Sequence, residues 1–228
     1  MQVEFRGRQG QHGTFRLNTQ QIRTITRLVP SFILISERDD ERRSEIEQLI
    51  EETYRRCYGS TVIEHYPSLM SVHDANGDVL AAVGFRRAAD GPLFLEQYLH
   101  EPIEVVLGDT THEEVSRQDI IEIGGLASAG RGASVFLFVA LAAYLKELQF
   151  RFAAVTATEA LRRAFAFFGF DPITLASADR AALADGGTTW GSYYARDPKV
   201  LAAEIAPCFS KLEQLLPSDP EHSRDLFV

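Results

Sequence analysis

Two cysteines, two methionines and one tryptophan are all that this 228-residue chain holds of those types. Cys57 and Cys208 lie far apart, with no Cys-x-x-Cys and no histidine cluster beside either. That argues against a disulfide framework and a zinc ribbon, and both thiols read as reduced, half-buried side chains. The six histidines (12, 65, 73, 100, 112 and 222) stand at no metal-ligand spacing, so no metal is expected. Positive charge is scarce: 23 Lys and Arg against 32 Asp and Glu leave a formal net charge of -9. This argues against a nucleic-acid surface and against strong attraction to anionic membranes. The longest apolar run, near Ala133–Leu145, falls short of the ~20 residues of a bilayer span and reads as a core helix. The start, MQVEFRGRQGQHG, has no apolar secretory core. The expectation is a cytoplasmic protein without stable membrane insertion.

What is present is an ordinary globular mix, 45% hydrophobic and 24% charged, long enough for a real core. Residues 1–30 carry weak periodicity and read as a mobile N-terminal segment or a short early strand. Residues 31–200 read as one domain, and 201–228 as a C-terminal helix and tail. Ser31–Ser36 reads as a buried strand, followed by an amphipathic helix near Asp40–Cys57, capped by Asp39 or Asp40 and ending near Gly59. Leu69–His73 and Val79–Arg87 flank a turn containing Asn76-Gly77, which predicts a β-hairpin. Leu93–Leu107 predicts two short helical pieces broken before Pro102. Gln118–Leu126 predicts a central strand, Ala133–Leu148 its crossover helix, Phe152–Thr158 a parallel neighbour and Glu159–Phe168 a further helix ending at Gly169. Ile173–Ala176 reads as a strand, Thr188–Ala195 as a hairpin arm and Lys199–Leu216 as a last amphipathic helix.

The stretch IIEIGGLASAGRGA, Ile120–Ala133, stands out. A buried strand frays into small residues and runs straight into an apolar helix. Free amides and the helix dipole at such a place suit a phosphate. The strand also carries a carboxylate, Glu122, where alternation with Ile121 and Ile123 predicts an apolar face.

Several phrases resemble the thermostable hemolysin family: CYGSTVIEHYPSL, PLFLEQYLHEPIE, IIEIGGLAS, TATEALRRAFAFFGFDPITLASAD and WGSYYARDPKV, within about 34–200. The order of elements resembles the GNAT acyltransferase superfamily, and the central strand is similar to that of acyl-homoserine-lactone synthases. The resemblance implies an α/β (α+β) GNAT-like acyl-CoA N-acyltransferase fold, a central mixed, strongly twisted sheet flanked by helices. It also implies an acyl thioester co-substrate, either acyl-CoA or acyl-carrier-protein phosphopantetheine, and a small-molecule amine acceptor. Acyl carrier protein is thus a possible partner, and the last helix could serve a homodimer. The loop Ser128-Ala129-Gly130-Arg131-Gly132-Ala133 has glycines and a cation but departs from the usual GNAT phosphate-loop pattern.

Each candidate residue has two readings. Glu122 is a general base with a raised pKa, or the partner of a structural ion pair with an arginine such as Arg86. Gly124 and Gly125, with Leu126, open a bulge for a pantetheine arm and an oxyanion, or form a plain edge bulge. Ser128, Gly130, Arg131, Gly132 and Ala133 cradle a diphosphate, or are a loop with a solvated arginine. Thr156 meets the pantetheine or the acyl carbonyl at a strand's carboxyl end, whereas Thr158 reads as an N-cap. Tyr193 or Tyr194 is a general acid, or a packed aromatic; alternation lets only one face the site. Arg86, Glu96, Tyr98 and Trp190 line the acceptor pocket, or are packing and solvated residues. Arg162 and Arg163 read as a solvated face. The expected function is N-acyl transfer from an acyl thioester to an amine. The alternatives are a membrane-active protein, as the family name suggests, and a non-catalytic acyl-ligand-binding module.

Overall fold

The structure, a computed structural model, describes residues 2–6, 12–16, 30–61, 65–130 and 132–215. Nine strands among them form one mixed sheet in the order β2-β1-β3-β4-β5-β6-β7-β9-β8. They are β1 Gln2–Arg6, β2 His12–Arg16, β3 Phe32–Ser36, β4 Ser68–His73, β5 Val79–Arg87, β6 Ile120–Ser128, β7 Phe152–Ala157, β8 Ile173–Ser177 and β9 Lys199–Glu204. Pairing is antiparallel except between β1 and β3 and between β6 and β7. The early strand expected in residues 1–30 corresponds to the β1–β2 hairpin, while the rest of that segment, and the tail from 216, lie outside the described residues.

Five helices are described: α1 Arg43–Tyr58, α2 Ile103–Thr111, α3 Ala133–Glu147, α4 Glu159–Phe167 and α5 Ile205–Leu215. Alternation along the strands sorts the core into two faces. Met70, Val72, Ala81, Val83 and Ile121 pack beneath α3 and α5. On the opposite face Leu69, Ala82 and Ala127 meet Ile46 and Ile50 of α1, while Ile120, Phe152 and Ala154 meet Leu95 and the α2 residues Ile103 and Leu107. Burying several such side chains, at roughly 1.5–3 kcal/mol each, is what holds the helices on the sheet.

Local signals worked where the chemistry is local. The turn after β4 is held by the Asp74 carboxylate, which accepts from the Asn76 and Asp78 amides at 2.8 and 3.0 Å. Gly59 ends α1 at φ +67. Helix α1 departs from expectation at its start: Arg42, not Asp39 or Asp40, is the cap, and the Asp40 carboxylate instead accepts from the Glu37 amide at 2.6 Å.

Two expectations fail together. Lys199–Glu204 is not the start of a helix but a strand inserted between β7 and β8, and α5 begins only at Ile205. The Leu-Ala-Ala-Glu composition favours helix, yet pairing on both edges overrides it. Strand β9 therefore crosses the boundary drawn at residue 200. Thr188–Ala195, expected as a hairpin arm, is two short 3₁₀ turns. Gly187 and Gly191 take positive φ and break the extension, and the Asp185 carboxylate caps the turn by accepting from the Gly187 and Thr189 amides at 2.9 and 3.1 Å. A Cβ on Gly191 would collide with the Gly59 backbone, so this turn seats directly on the end of α1.

Candidate functional site where β6 and β7 part

Strands β6 and β7 pair from Ile120–Phe152 to Ile123–Val155 and then separate. Beyond that point β6 keeps only its β5 partner and β7 only β9. The β5–β6 register slips between Ala82 and Gly84, so Gly125 and Leu126 form a bulge, with Gly125 at φ +60. The glycines expected to loosen the strand do so here.

A cavity lies on each face of the sheet. One, of about 320 Å³, runs under α3, α4 and α5 and is walled by Leu141, Leu145, Phe165, Phe170 and Leu212. The other, of about 270 Å³, lies on the α1 side and is walled by Tyr66, Arg86, Phe94, Trp190 and Tyr193. Both reach Ile123, Gly124, Gly125, Thr156 and Tyr193, so they meet at the gap.

Glu122 is 1% exposed, on the α1 face. Its carboxylate accepts from the Phe94 and Leu95 amides at 3.0 and 2.9 Å. Burial pushes its pKa up; those amides, the Arg86 charge and a hydrogen bond from Tyr66 pull the other way without cancelling the rise. The ion-pair reading is met only in part. Arg86 is the register partner of Glu122 and its Nε lies 3.5 Å from Oε2, yet that nitrogen makes no hydrogen bond. It is a Coulomb contact rather than a saturated bridge.

Tyr66 was not singled out in the sequence. Its ring lies flat over Gly84 and Gly124, which are themselves register partners. Burial and the Glu122 charge push the Tyr66 pKa well above 10, so the hydroxyl holds its proton and donates it to the carboxylate. Buried Arg43 places this segment, donating to the Tyr66 and Pro67 carbonyls at 2.5 and 2.8 Å. One sequence signal pointed here: a glycine inside the apolar strand VLAAVGFRR marks a close approach.

Of the two late tyrosines, Tyr193 is at the gap. It is 6% exposed, packs on Tyr54, Tyr58 and Trp190, and donates to the Thr156 carbonyl at 3.0 Å. The Thr156 hydroxyl is buried without a partner beside it. Tyr194 instead shares a short hydrogen bond with Tyr98, and neither lines the two cavities. Trp190 packs between Phe94 and Tyr193 on the cavity wall. Thr158 precedes α4 at its N-cap position but makes no side-chain cap bond.

Glu96 also lies off the cavities and holds the 88–104 segment together. It accepts from the Leu93 and Ile103 amides at 2.7 and 3.0 Å and pairs with Arg117 at 2.6 Å. Partial burial raises its pKa, but Arg117 and the two amides outweigh this, and the net shift is downward. A depressed folded pKa means that this stabilisation is present at neutral pH and is lost as pH falls through the folded value. Glu96→Gln should cost about 2 kcal/mol at neutral pH, with the gap to the parent closing in acid; urea melts at several pH values check this.

Ala133 follows Gly132, the αL cap of α3, and the Gly130 amide donates to the Ser128 hydroxyl oxygen at 3.2 Å. Arg131 lies outside the described residues. No group of three or more His, Cys, Asp or Glu able to hold a metal occurs among the described residues.

A family model described as thermostable hemolysin matches residues 36–209. This chain belongs to the thermostable hemolysin family. Among solved structures, the AHL synthase LasI is 17% identical, with a TM-score of 0.52 over 76% of this chain and 89% of its own. FeeM, an N-acyl amino acid synthase from uncultured soil microbes, is 12% identical, with a TM-score of 0.51 over 78% and 95%. BjaI, a CoA-dependent acyl-homoserine lactone synthase solved with SAM and isopentyl-CoA, is 10% identical, with a TM-score of 0.52 over 82% and 90%. At such identities the likeness is one of fold, and that fold is GNAT-like. No curated protein matches the chain. No helix among the described residues of this thermostable hemolysin family member is long and apolar enough to cross a membrane.

Proposed function

We propose that the chain moves an acyl group from a thioester to the amine of a small acceptor. One observation carries the reading: β6 and β7 part at the point where the two cavities meet. Past Ile123 the β6 edge toward β7 has no strand partner, so its amides and carbonyls are free to pair with a pantetheine arm. The donor phosphates then fall at Ser128–Ala133 and the start of α3, where the helix dipole favours anions. Either acyl-CoA or an acyl carrier protein supplies such an arm.

The acyl chain occupies the apolar cavity beneath α3 and the acceptor the α1-side cavity. Glu122 lines neither, and its reach to the acceptor runs through Tyr66. The amine proton passes to the Tyr66 oxygen as the Tyr66 proton passes to Glu122, so no tyrosinate accumulates. The nitrogen attacks the thioester carbonyl, and a backbone amide near Leu126 meets the oxyanion. The C–N bond is complete when the C–S bond breaks. Tyr193, whose pKa burial pushes well above 10, is too weak an acid to protonate a thiolate outright. Its one O–H donates to the Thr156 carbonyl, so it orders the strand end beside the thioester while solvent supplies the proton to the sulfur.

The test is thiol release from a series running from acetyl-CoA to palmitoyl-CoA, and from acyl carrier protein loaded with the same chains, offered with primary amines. Thermal shifts run on the same donors, because a ligand of the native state raises the melting temperature. The absence of both thiol release and a thermal shift with every thioester would remove the reading. Ala164→Phe fills part of the apolar cavity. It should lower kcat/KM about 10-fold or more for the longest accepted chains, on the 1–3 kcal/mol scale of a misfitting methylene, and leave acetyl-CoA alone. A uniform loss across chain lengths would place the chain elsewhere.

A further inference from the structure

We propose that the acceptor is an amino acid, and that Arg86 holds its carboxylate. The inference rests on the acyl-transfer reading of the same site. It starts from an arginine that makes no hydrogen bond among the described residues and whose Nε is buried.

A guanidinium carries five N–H donors and no acceptor. When such a group is half-buried for structural reasons, its donors are used, and this chain shows the pattern twice. Arg43 donates to Glu47 and to the carbonyls of Ser36, Tyr66 and Pro67. Arg117 donates to Glu96, Glu104 and the carbonyls of Ala88 and Gly91. Arg86 is 24% exposed, close to the 26% of Arg117. Yet it makes no hydrogen bond among the described residues, and its Nε is buried without a partner. Its nearest anion, Glu122, stands 3.5 Å from that Nε without forming a hydrogen bond, and its two oxygens accept from the Phe94 and Leu95 amides instead. Leaving a buried charged donor unpaired costs free energy. A ligand group that satisfies it recovers that cost on binding.

The placement selects the ligand. Arg86 lines the α1-side cavity and is its one Lys, Arg, Asp or Glu among the described lining residues. The wall around it is largely aromatic and aliphatic, including Phe94, Trp190 and Ile50, so the guanidinium, with Glu122 behind its Nε at 3.5 Å, is the charged group that an anion in this cavity meets. The Tyr66 ring, with the guanidinium carbon 5.0 Å from its centroid, fixes the guanidinium in place. A planar fork held this way matches a planar carboxylate in bidentate fashion. Arg86 lies two residues along β5 from Gly84, the register partner of Gly124 at the gap. Two residues of strand span about 6.8 Å. That is the reach of a hydrogen-bonded carboxylate carrying an amine on its α-carbon, with the nitrogen directed at the thioester.

The experiment compares acceptors that differ only in the carboxylate: phenylalanine, phenylalanine amide and phenethylamine, and likewise leucine, leucine amide and isoamylamine. Thiol release gives kcat/KM for each, and thermal shift reads acceptor binding without turnover. The native chain should prefer the amino acids by about 10- to 100-fold, the scale of a charged hydrogen-bonded pair. In Arg86→Gln the preference should collapse toward unity through KM, and Arg86→Lys should recover only part of it; near-UV circular dichroism confirms that both variants fold. Transfer to all three acceptor types at equal efficiency overturns the inference and leaves acyl transfer standing. A preference for amines bearing phosphate also overturns it. An amino-acid thermal shift that needs Arg86, without thiol release from any donor, keeps the carboxylate site and removes the transferase. No shift and no transfer remove both.

Discussion

Replacing Glu122 by glutamine should lower kcat for acyl transfer by about 10²–10⁴, the range of a lost general base, with KM changed little. Its carboxylate lies behind Tyr66 and touches no cavity, so the loss falls on proton removal rather than on acceptor binding. The pH profile gives an independent reading. Burial raises the Glu122 pKa above its ordinary 4.5, and the active form is the carboxylate. The rate therefore rises with pH through that raised value, and the acid limb lies above the ordinary glutamate range. The Tyr66 hydrogen bond favours the charged form. Tyr66→Phe removes it, so the acid limb should move to still higher pH while the maximal rate falls. An unchanged kcat in Glu122→Gln, or an acid limb at the ordinary carboxylate pH, would sink the base assignment.

A methyl group at Gly124 should be nearly as damaging. A Cβ there would stand 2.6 Å from Cε2 of Tyr66, and one at Gly84 would stand 2.6 Å from the Tyr66 Cβ. The ring is pressed onto two paired strands that have no side chains at this point. Gly124→Ala should cost about 1–3 kcal/mol as an overpacked site and reduce transfer about 100-fold by displacing the relay. A double-mutant cycle separates the clash from general strand damage. In a Tyr66→Ala background the same Gly124→Ala change should cost far less in urea melts. Equal costs in both backgrounds would show that the glycine serves the strand rather than the tyrosine.

The strand, loop and helix of residues 120–147 were legible because each signal there is short-range. Alternating isoleucines place Glu122 on a buried face, two glycines permit a bulge, and a small-residue turn opens an apolar helix. The β4–β5 turn and the end of α1 were legible for the same reason. Lys199–Glu204 was not, because its helix-favouring composition is overruled by two neighbouring strands distant in sequence. Thr188–Ala195 misled through its aromatic content, and the Gly187 and Gly191 conformations that break it depend on seating against Gly59.

The amino-acid sequence alone determined the family likeness, through the resemblance of long phrases such as IIEIGGLAS, and with it the expected fold. The order of strands and helices and a buried carboxylate beside a loosened strand follow from periodicity, turn chemistry and the cost of burying charge. Only the tertiary structure decided which groups share the site. It brought Tyr66 onto the glycines of two strands, put Tyr193 rather than Tyr194 at the gap, and sent Glu96 to a clamp elsewhere. It also left the Arg86 Nε buried without a hydrogen-bond partner among the described residues. Those outcomes depend on sheet register and on which face of the sheet each loop covers. They are long-range pairings, and no local pattern in the chain encodes them.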